Sequence, residues 1–259
     1  ELGLTVDLTF NWSAKHGHRD TDIVIKGSKS FSEIPPTEHL KLFIHKCTEC
    51  KKICDFSSPD IDRKGKVTKT LLLKHLVQCF TMVSFLKMLT PDLMKSFYAM
   101  VAANLFRTFP RFQTACPIDA NDSYFDQSWP HLSLVYQSLE ASLNSSLTST
   151  MTPSFMYNIV SNCMSPDSSE RIAVRDFLHA FYARYMSQRI HIRKHVFGMF
   201  TMGLVSAELI DFYASVVQGF NPPLKAEHVN FFYQALLPLF GHSNLAAFSD
   251  SLVTCVKKF

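Results

Sequence analysis

Residues 90–109 read TPDLMKSFYAMVAANLFRTF, and this stretch decides the fold. Thr90 supplies a hydroxyl that can take a free backbone N–H at a helix start. Pro91 then occupies the first helical position, where a missing N–H costs nothing. Met94, Phe97, Tyr98, Val101 and Leu105 recur at helical spacing and make one apolar stripe. The same grammar repeats on both sides. Upstream, Leu40, Phe43, Ile44, Cys47 and Cys54 fall on one face, with Thr37 as a candidate N-cap, and 71–86 reads as a helix. Downstream, helices are expected at about 130–147, 153–164, 168–186, 188–202, 206–219, 225–239 and 244–258. The polar segment 110–130, with Asp119, Asp122 and Asp126, reads as a loop.

Alternating runs bounded by hairpin turns are nearly absent, so strands have no sequence support. About ten helices joined mostly by short turns predict an all-α, HEAT-like helical-repeat solenoid over 37–259, each hairpin buried against the next. Residues 1–36 read as a poorly ordered N-terminal arm, because KGSKSFSEIPP (26–36) has linker composition.

Composition agrees. Of 259 residues, 47% are hydrophobic, which excludes a wholly disordered chain. Eight Gly is about 3%, against a usual 7% or so, which argues against folds built on Gly-rich phosphate loops. Net charge is +4, too mild and too dispersed for a nucleic-acid face; Arg189–His195 (RIHIRKH) reads as a solvated helix face. No apolar run reaches the roughly 18 residues that suggest a membrane span. Seven Cys at irregular spacing do not make a disulfide framework. Reduced thiols imply a cytoplasmic or nuclear setting.

Cys47, Cys50 and Cys54 contain a CxxC, which in a structural zinc site needs two further ligands. No second pair is placed, and on a helix the three extend the buried stripe as small hydrophobes. His191 and His195 stand four apart as in HExxH, but Ile192 occupies the general-base position. P-loop, GxGxxG, GxSxG and kinase motifs are missing, so neither catalytic residues, a metal nor a cofactor is expected. The helix at 168–186 says more. Val174, Phe177, Leu178, Phe181 and Tyr185 form its core stripe. Arg175, His179 and Tyr182 form a second stripe roughly 110° round at 100° per residue. Two readings stay open for it: a half-exposed helix edge, or a groove wall suited to a peptide with an apolar anchor and an acid.

The order of several blocks resembles the B-prime family of protein phosphatase 2A regulatory subunits. The blocks are LFIHKCTECKKICDF (42–56), DRKGKVTKTLLLKHLV (62–77), NLFRTFP (104–110), SWPHLSLVYQSLEASL (128–143), LHAFYARYMSQRIHIRKH (178–195), QGFNPPLKAEHVNFF (218–232) and LLPLFGHSNLAAFSDSLVTCVKKF (236–259). The resemblance implies a non-enzymatic solenoid that binds the phosphatase scaffold and catalytic subunits. It also implies capture of substrates through short LxxIxE segments, often strengthened by phosphorylation or added acids. Residue by residue, it implies a peptide pocket made by His179, Tyr182, Arg175 and Arg189, with Phe212 and Val216 shaping the apolar part and Lys225 and His228 beyond. In that pocket the Tyr182 ring, Phe212 and Val216 would receive the ligand's Leu and Ile, and the cations its acid or phosphate.

Departures from the family pattern are as informative. Ala180 stands where the family has an Arg, removing a charge-assisted partner worth about 1.5–3 kcal/mol. Phe212 is bulkier than the family's Ile. The turn near 201–205 is shortened, and the chain ends at Phe259 where the family solenoid runs on, as expected of a fragment or a truncated member. A truncated member could act as an adaptor or decoy that binds motifs without assembling a complete phosphatase.

Overall fold

Hydrogen-bonded helices account for most of the described residues, and several of them start at an identifiable cap. The computed structural model describes residues 29–109 and 124–259. The α-helices are α1 His39–Cys50, α2 Arg63–Cys79, α3 Val83–Leu86, α4 Pro91–Leu105, α5 Trp129–Ala141, α6 Pro153–Ser161, α7 Ser168–Arg184, α8 Arg189–Thr201, α9 Ala207–Gln218, α10 Ala226–Phe231 and α11 Ser249–Val256. Among the described residues there is no strand. Thr90, Thr152, Asp167 and Ser206 each cap the helix that follows, their side-chain oxygens accepting a first-turn N–H. Pro91 and Pro153 sit inside the first turn, where no donor is needed.

The helices form two layers. One layer stacks α2 on α5, α5 on α7, α7 on α9 and α9 on α11. In the other, α1 lies on α4, α6 on α8 and α8 on the segment after α10. Phe155 of α6 meets Tyr98 of α4 and Phe106 just beyond it, at ring separations of 5.2 and 4.9 Å, completing that row. This is the expected HEAT-like solenoid: each hairpin buries its stripe against the next and the core runs the length of the stack. At its start, Phe31, Phe43, Phe80, Phe85 and Phe97 interlock in tilted and edge-on contacts.

Buried polar groups staple successive hairpins. Asn104 Oδ1 accepts from Lys69 Nζ at 2.6 Å, and its Nδ2 donates to the Cys50 carbonyl at 3.0 Å. One amide therefore ties α4 to α2 and α1. Further along, the Glu170 carboxylate has no exposed side-chain surface. It accepts from Arg107 Nη2 at 2.7 Å, from the Tyr136 hydroxyl at 3.0 Å and from Ser165 Oγ. That joins the end of α4, the middle of α5 and the start of α7.

Several expectations are corrected. The packed body begins before residue 37. Ser30 caps a 3₁₀ turn at Phe31–Glu33, and Phe31 is 1% exposed against Phe85 and His39. A lone Phe in a Ser/Lys/Pro-rich stretch carries no periodicity, so its burial is invisible to pattern reading. The rest of the expected arm, 1–28, lies outside the described residues. Thr37 is not the cap of α1; it sits within a 3₁₀ turn at Pro36–Glu38, and α1 follows Glu38. Ile44 is 44% exposed, and Cys50 takes the stripe position next to Phe43 and Cys47. The second helix starts eight residues ahead of Leu71, at Arg63, and stops at Cys79, where Phe80 and Thr81 turn the chain toward α3. Its first two turns are mostly charged or polar, and their buried member is Lys69, so no apolar stripe announces them.

The expected helix at 130–147 ends at Ala141 and continues as 3₁₀ turns. There the Ser142 and Thr148 hydroxyls donate to the Leu139 and Ser142 carbonyls, competing with the helix ladder. The 225–239 helix changes character twice, from α at 226–231 to a π turn at Phe232–Leu236 and then 3₁₀ at Leu237–Gly241. Pro238 has no N–H and its ring excludes the carbonyl four residues back, so a regular ladder cannot pass through it. Of the 244–258 helix, Ser249–Val256 is α. Asp119 and Asp122 of the expected loop fall outside the described residues, whereas Asp126 accepts from Ser128 beside α5.

Cys47 and Cys50 take the core reading on α1, whereas Cys54 lies four residues past the end of that helix and only borders the core. The three are 1%, 0% and 9% exposed and unbonded to one another. Burial pushes the Cys50 thiol up to about 12 and the Cys54 thiol up to about 11. Neutral thiols in an apolar wall are poor metal ligands, and no group of three or more potential ligands converges among the described residues. Among the described residues no helix is long and apolar enough to cross a membrane.

Candidate functional site

The second stripe of α7 faces α9, as the stacking of those helices requires. His179 and Tyr182 lie three residues apart, so their rings stand side by side. Both present edges to the Phe212 ring of α9, at 5.4 Å and 77° for His179 and 5.7 Å and 81° for Tyr182. His179 Nδ1 lies 3.1 Å from Ser215 Oγ, which itself donates to the Phe212 carbonyl. Burial, reinforced by the Arg175 charge, holds His179 below the ordinary histidine range, so its imidazole is neutral near pH 7.

Helix α8 brings cations to the same tyrosine. The Arg189 guanidinium lies 4.8 Å from the Tyr182 ring centroid, and its Nε donates to the Tyr182 carbonyl at 2.8 Å. Arg193 Nη1 donates to the Tyr182 hydroxyl at 3.1 Å. Its Nη2 reaches Glu227 Oε1 of α10, also at 3.1 Å. Tyr182 is thus gripped at its ring, its hydroxyl and its carbonyl. The cluster gathers residues from α7, α8, α9 and α10.

The eight residues expected at the site do not all meet. His179, Tyr182, Arg189 and Phe212 are brought together. Phe212 and Val216 are 1% and 4% exposed, so neither offers an open face. They belong to the packed seam between α7 and α9, and the exposed apolar contribution is the outer part of Tyr182. Arg175 is on the right helix face but pairs with its neighbour Asp176 at 2.8 Å. Lys225 is exposed at the start of α10 and has no ion pair among the described residues. His228 is buried at the edge of the cluster: its ring stacks flat on Phe220 at 3.6 Å, with Nε2 3.4 Å from the Glu227 Oε1 that Arg193 holds. Burial lowers its proton affinity, so it too is neutral near pH 7.

Sequence reasoning missed Arg193, Glu227 and Ser215. Arg193 was within reach, because it follows Arg189 by four residues and shares its helix face. Its assignment to a solvated face overlooked that repetition. Glu227 and Ser215 carried no signal, since only the packing of α9 and α10 brings them in. A separate open depression of about 480 Å³ lies at the C-terminal ends of α2, α5 and α7, lined by Val77, Gln137, Glu140 and Arg184 among others. It shares no residue with the Tyr182 cluster and has no chemistry that singles it out.

Fold and cluster define a repeat protein of the kind that presents extended side-chain surfaces to other chains. The comparisons with known proteins are specific. Residues 28–259 match the family described as "Protein phosphatase 2A regulatory B subunit (B56 family)", and the chain belongs to that family. Among its relatives are regulatory subunits of serine/threonine protein phosphatase 2A from plants and mammals. The chain is 29% identical over 258 residues to the 59 kDa B′ gamma isoform of Arabidopsis thaliana, covering 91% of this chain and 48% of that protein. It is 30% identical over 243 residues to the 56 kDa beta isoform of Mus musculus, covering 88% and 48%. The 57 kDa B′ kappa isoform of Arabidopsis thaliana is 29% identical over 245 residues. The chain therefore spans about half the length of these relatives. Membership places it in a family of regulatory rather than catalytic subunits.

Proposed function

We propose that this chain is a non-catalytic targeting element of protein phosphatase 2A. It captures LxxIxE-type short linear motifs at the Tyr182 cluster and so directs serine/threonine dephosphorylation. The observation that carries the reading is the convergence of Arg189 and Arg193 on one partly exposed tyrosine, beside a neutral His179. An aromatic surface rimmed by guanidinium groups suits a ligand with an apolar residue next to a carboxylate or phosphate. Lys225 adds a cation at the edge. Ala180 leaves the phosphate-reading side of the helix with one cation fewer than the family pattern, so apolar anchoring carries more of the affinity than phosphorylation does. Scaffold and catalytic subunits of the phosphatase are the proposed protein partners. A reducing cytoplasmic or nuclear setting fits the six free, buried cysteines of the described residues.

The test is fluorescence-polarisation titration of an LxxIxE peptide, with and without an adjacent phosphoserine, against the chain and its Tyr182→Ala variant. Saturable binding lost in the variant supports the reading. Absence of binding by the folded chain overturns it. Co-purification with scaffold and catalytic subunits separates the targeting role from an adaptor that binds motifs alone.

A further inference from the structure

Glu227 is the carboxylate drawn onto Arg193 in the Tyr182 cluster, and it takes the hydrogen bond that an incoming acid would need. Arg193 is 21% exposed and spans two partners with its two terminal nitrogens. Nη1 is committed to the Tyr182 hydroxyl, whereas Nη2 holds Glu227 Oε1. The same oxygen lies 3.4 Å from His228 Nε2. That histidine is held neutral by burial, so it contributes no countercharge. Glu227 is 46% exposed and hence accessible for exchange with solvent or ligand. The two remaining cations differ from Arg193. Arg189 spends Nε and one terminal nitrogen on the Tyr182 and Ala183 carbonyls, and Lys225 stands exposed at the rim.

We infer that Arg193 is an acid-reading residue of this site and that Glu227 occupies its guanidinium in the unliganded protein, so that a ligand carboxylate binds by displacing Glu227. Nη1 stays on Tyr182 and keeps the guanidinium aimed while Nη2 changes partner. The exchange replaces one partly exposed ion pair by another, which makes acid recognition a difference between two similar terms. Its consequence is damped discrimination: a neutral ligand gains nothing at Arg193, and an acidic one gains its own pairing less what Glu227 gives up. This rests on the peptide-binding reading of the same cluster.

The test compares an LxxIxE peptide with its LxxIxQ counterpart on the 259-residue chain, on Glu227→Gln and on Arg193→Gln, with circular dichroism confirming that each variant is folded. Glu227→Gln is expected to tighten the acidic peptide by roughly two- to fivefold, the span of an exposed ion pair, and to leave the neutral peptide unchanged. Arg193→Gln is expected to bring the acidic-to-neutral affinity ratio towards one while the neutral peptide still binds. If Glu227 is only a structural clamp, Glu227→Gln weakens both peptides alike, and the inference is overturned. It is equally overturned if both peptides bind and Glu227→Gln changes neither. If neither peptide binds the unaltered chain, the peptide-binding reading fails and takes this inference with it.

Discussion

Replacing Glu170 tests whether the hairpins are held by one buried carboxylate. Its side chain is fully enclosed and accepts from Arg107 and Tyr136 of the α4–α5 hairpin and from Ser165 of the α6–α7 hairpin. Glu170→Ala leaves the Arg107 guanidinium with Asp126 alone, at 3.2 Å, and two hydroxyls without their acceptor. Breaking a buried pair from one side costs about 3–5 kcal/mol. For a chain this long each kcal/mol lowers Tm by about 2–4 °C, provided unfolding is cooperative. Glu170→Gln keeps the shape and one acceptor oxygen, and is expected to cost less.

The pH dependence has a definite sign. Burial raises the Glu170 carboxyl above its ordinary range, outweighing Arg107 and the hydrogen bonds from Ser165 and Tyr136, which lower it. The folded state therefore holds this proton more tightly than the unfolded one. Its contribution is complete below the unfolded value, about 4.3, and declines as pH rises through the folded value. The stability advantage of the native chain over Glu170→Gln should accordingly be largest in acid and shrink towards neutrality. Urea unfolding of both proteins between pH 4 and 8, followed by circular dichroism, measures it. An advantage that grows with pH would refute the argument, by showing that the ion pair with Arg107 outweighs desolvation. In a double-mutant cycle with Arg107→Ala, the two single costs should be far from additive.

Phe31→Ala is expected to cost about 3–5 kcal/mol, like other buried Phe truncations, whereas a free arm ending at residue 36 would make it neutral; thermal melts distinguish the two. Cys47, Cys50, Cys79, Cys163 and Cys255 are buried and their thiols are held protonated by burial. A thiol reagent at pH 8 should label them only on denaturation, and fast labelling of Cys50 in the folded chain would contradict its place in the core. Asn104→Leu removes the amide joining α4 to α1 and α2 and leaves the Lys69 ammonium, which burial already pushes towards neutrality, with the Lys52 carbonyl as its remaining acceptor. A loss of about 1–3 kcal/mol in urea unfolding is expected from the lost buried hydrogen bonds.

Helix content and most helix positions were legible in the sequence because they depend on local chemistry. A Thr or Ser before Pro or an acidic first turn, and apolar residues every three or four positions, are visible within one helix. Thr90 with its stripe to Leu105, and Val174 to Phe181, are such cases, and so are the buried cysteines of α1. Where local chemistry is silent the pattern misled. The charged first turns of α2 have no stripe, and Phe31 is a single residue whose partner Phe85 lies far along the chain. Pro238 marks a disturbance without saying that it becomes a π turn.

The Tyr182 stripe shows where the division falls. Helical spacing placed Arg175, His179 and Tyr182 on one face but left both an exposed edge and a groove wall open, because periodicity orients a side chain relative to its helix and not to its neighbours. Only the stacking of α7 on α9 and the approach of α8 and α10 fix what that stripe touches. They bury Phe212 and Val216, turn His228 onto Phe220, bring Arg193 to the Tyr182 hydroxyl and bring Glu227 to Arg193. Contacts between residues far apart in sequence depend on the summed packing of several hairpins, and no single segment encodes that sum.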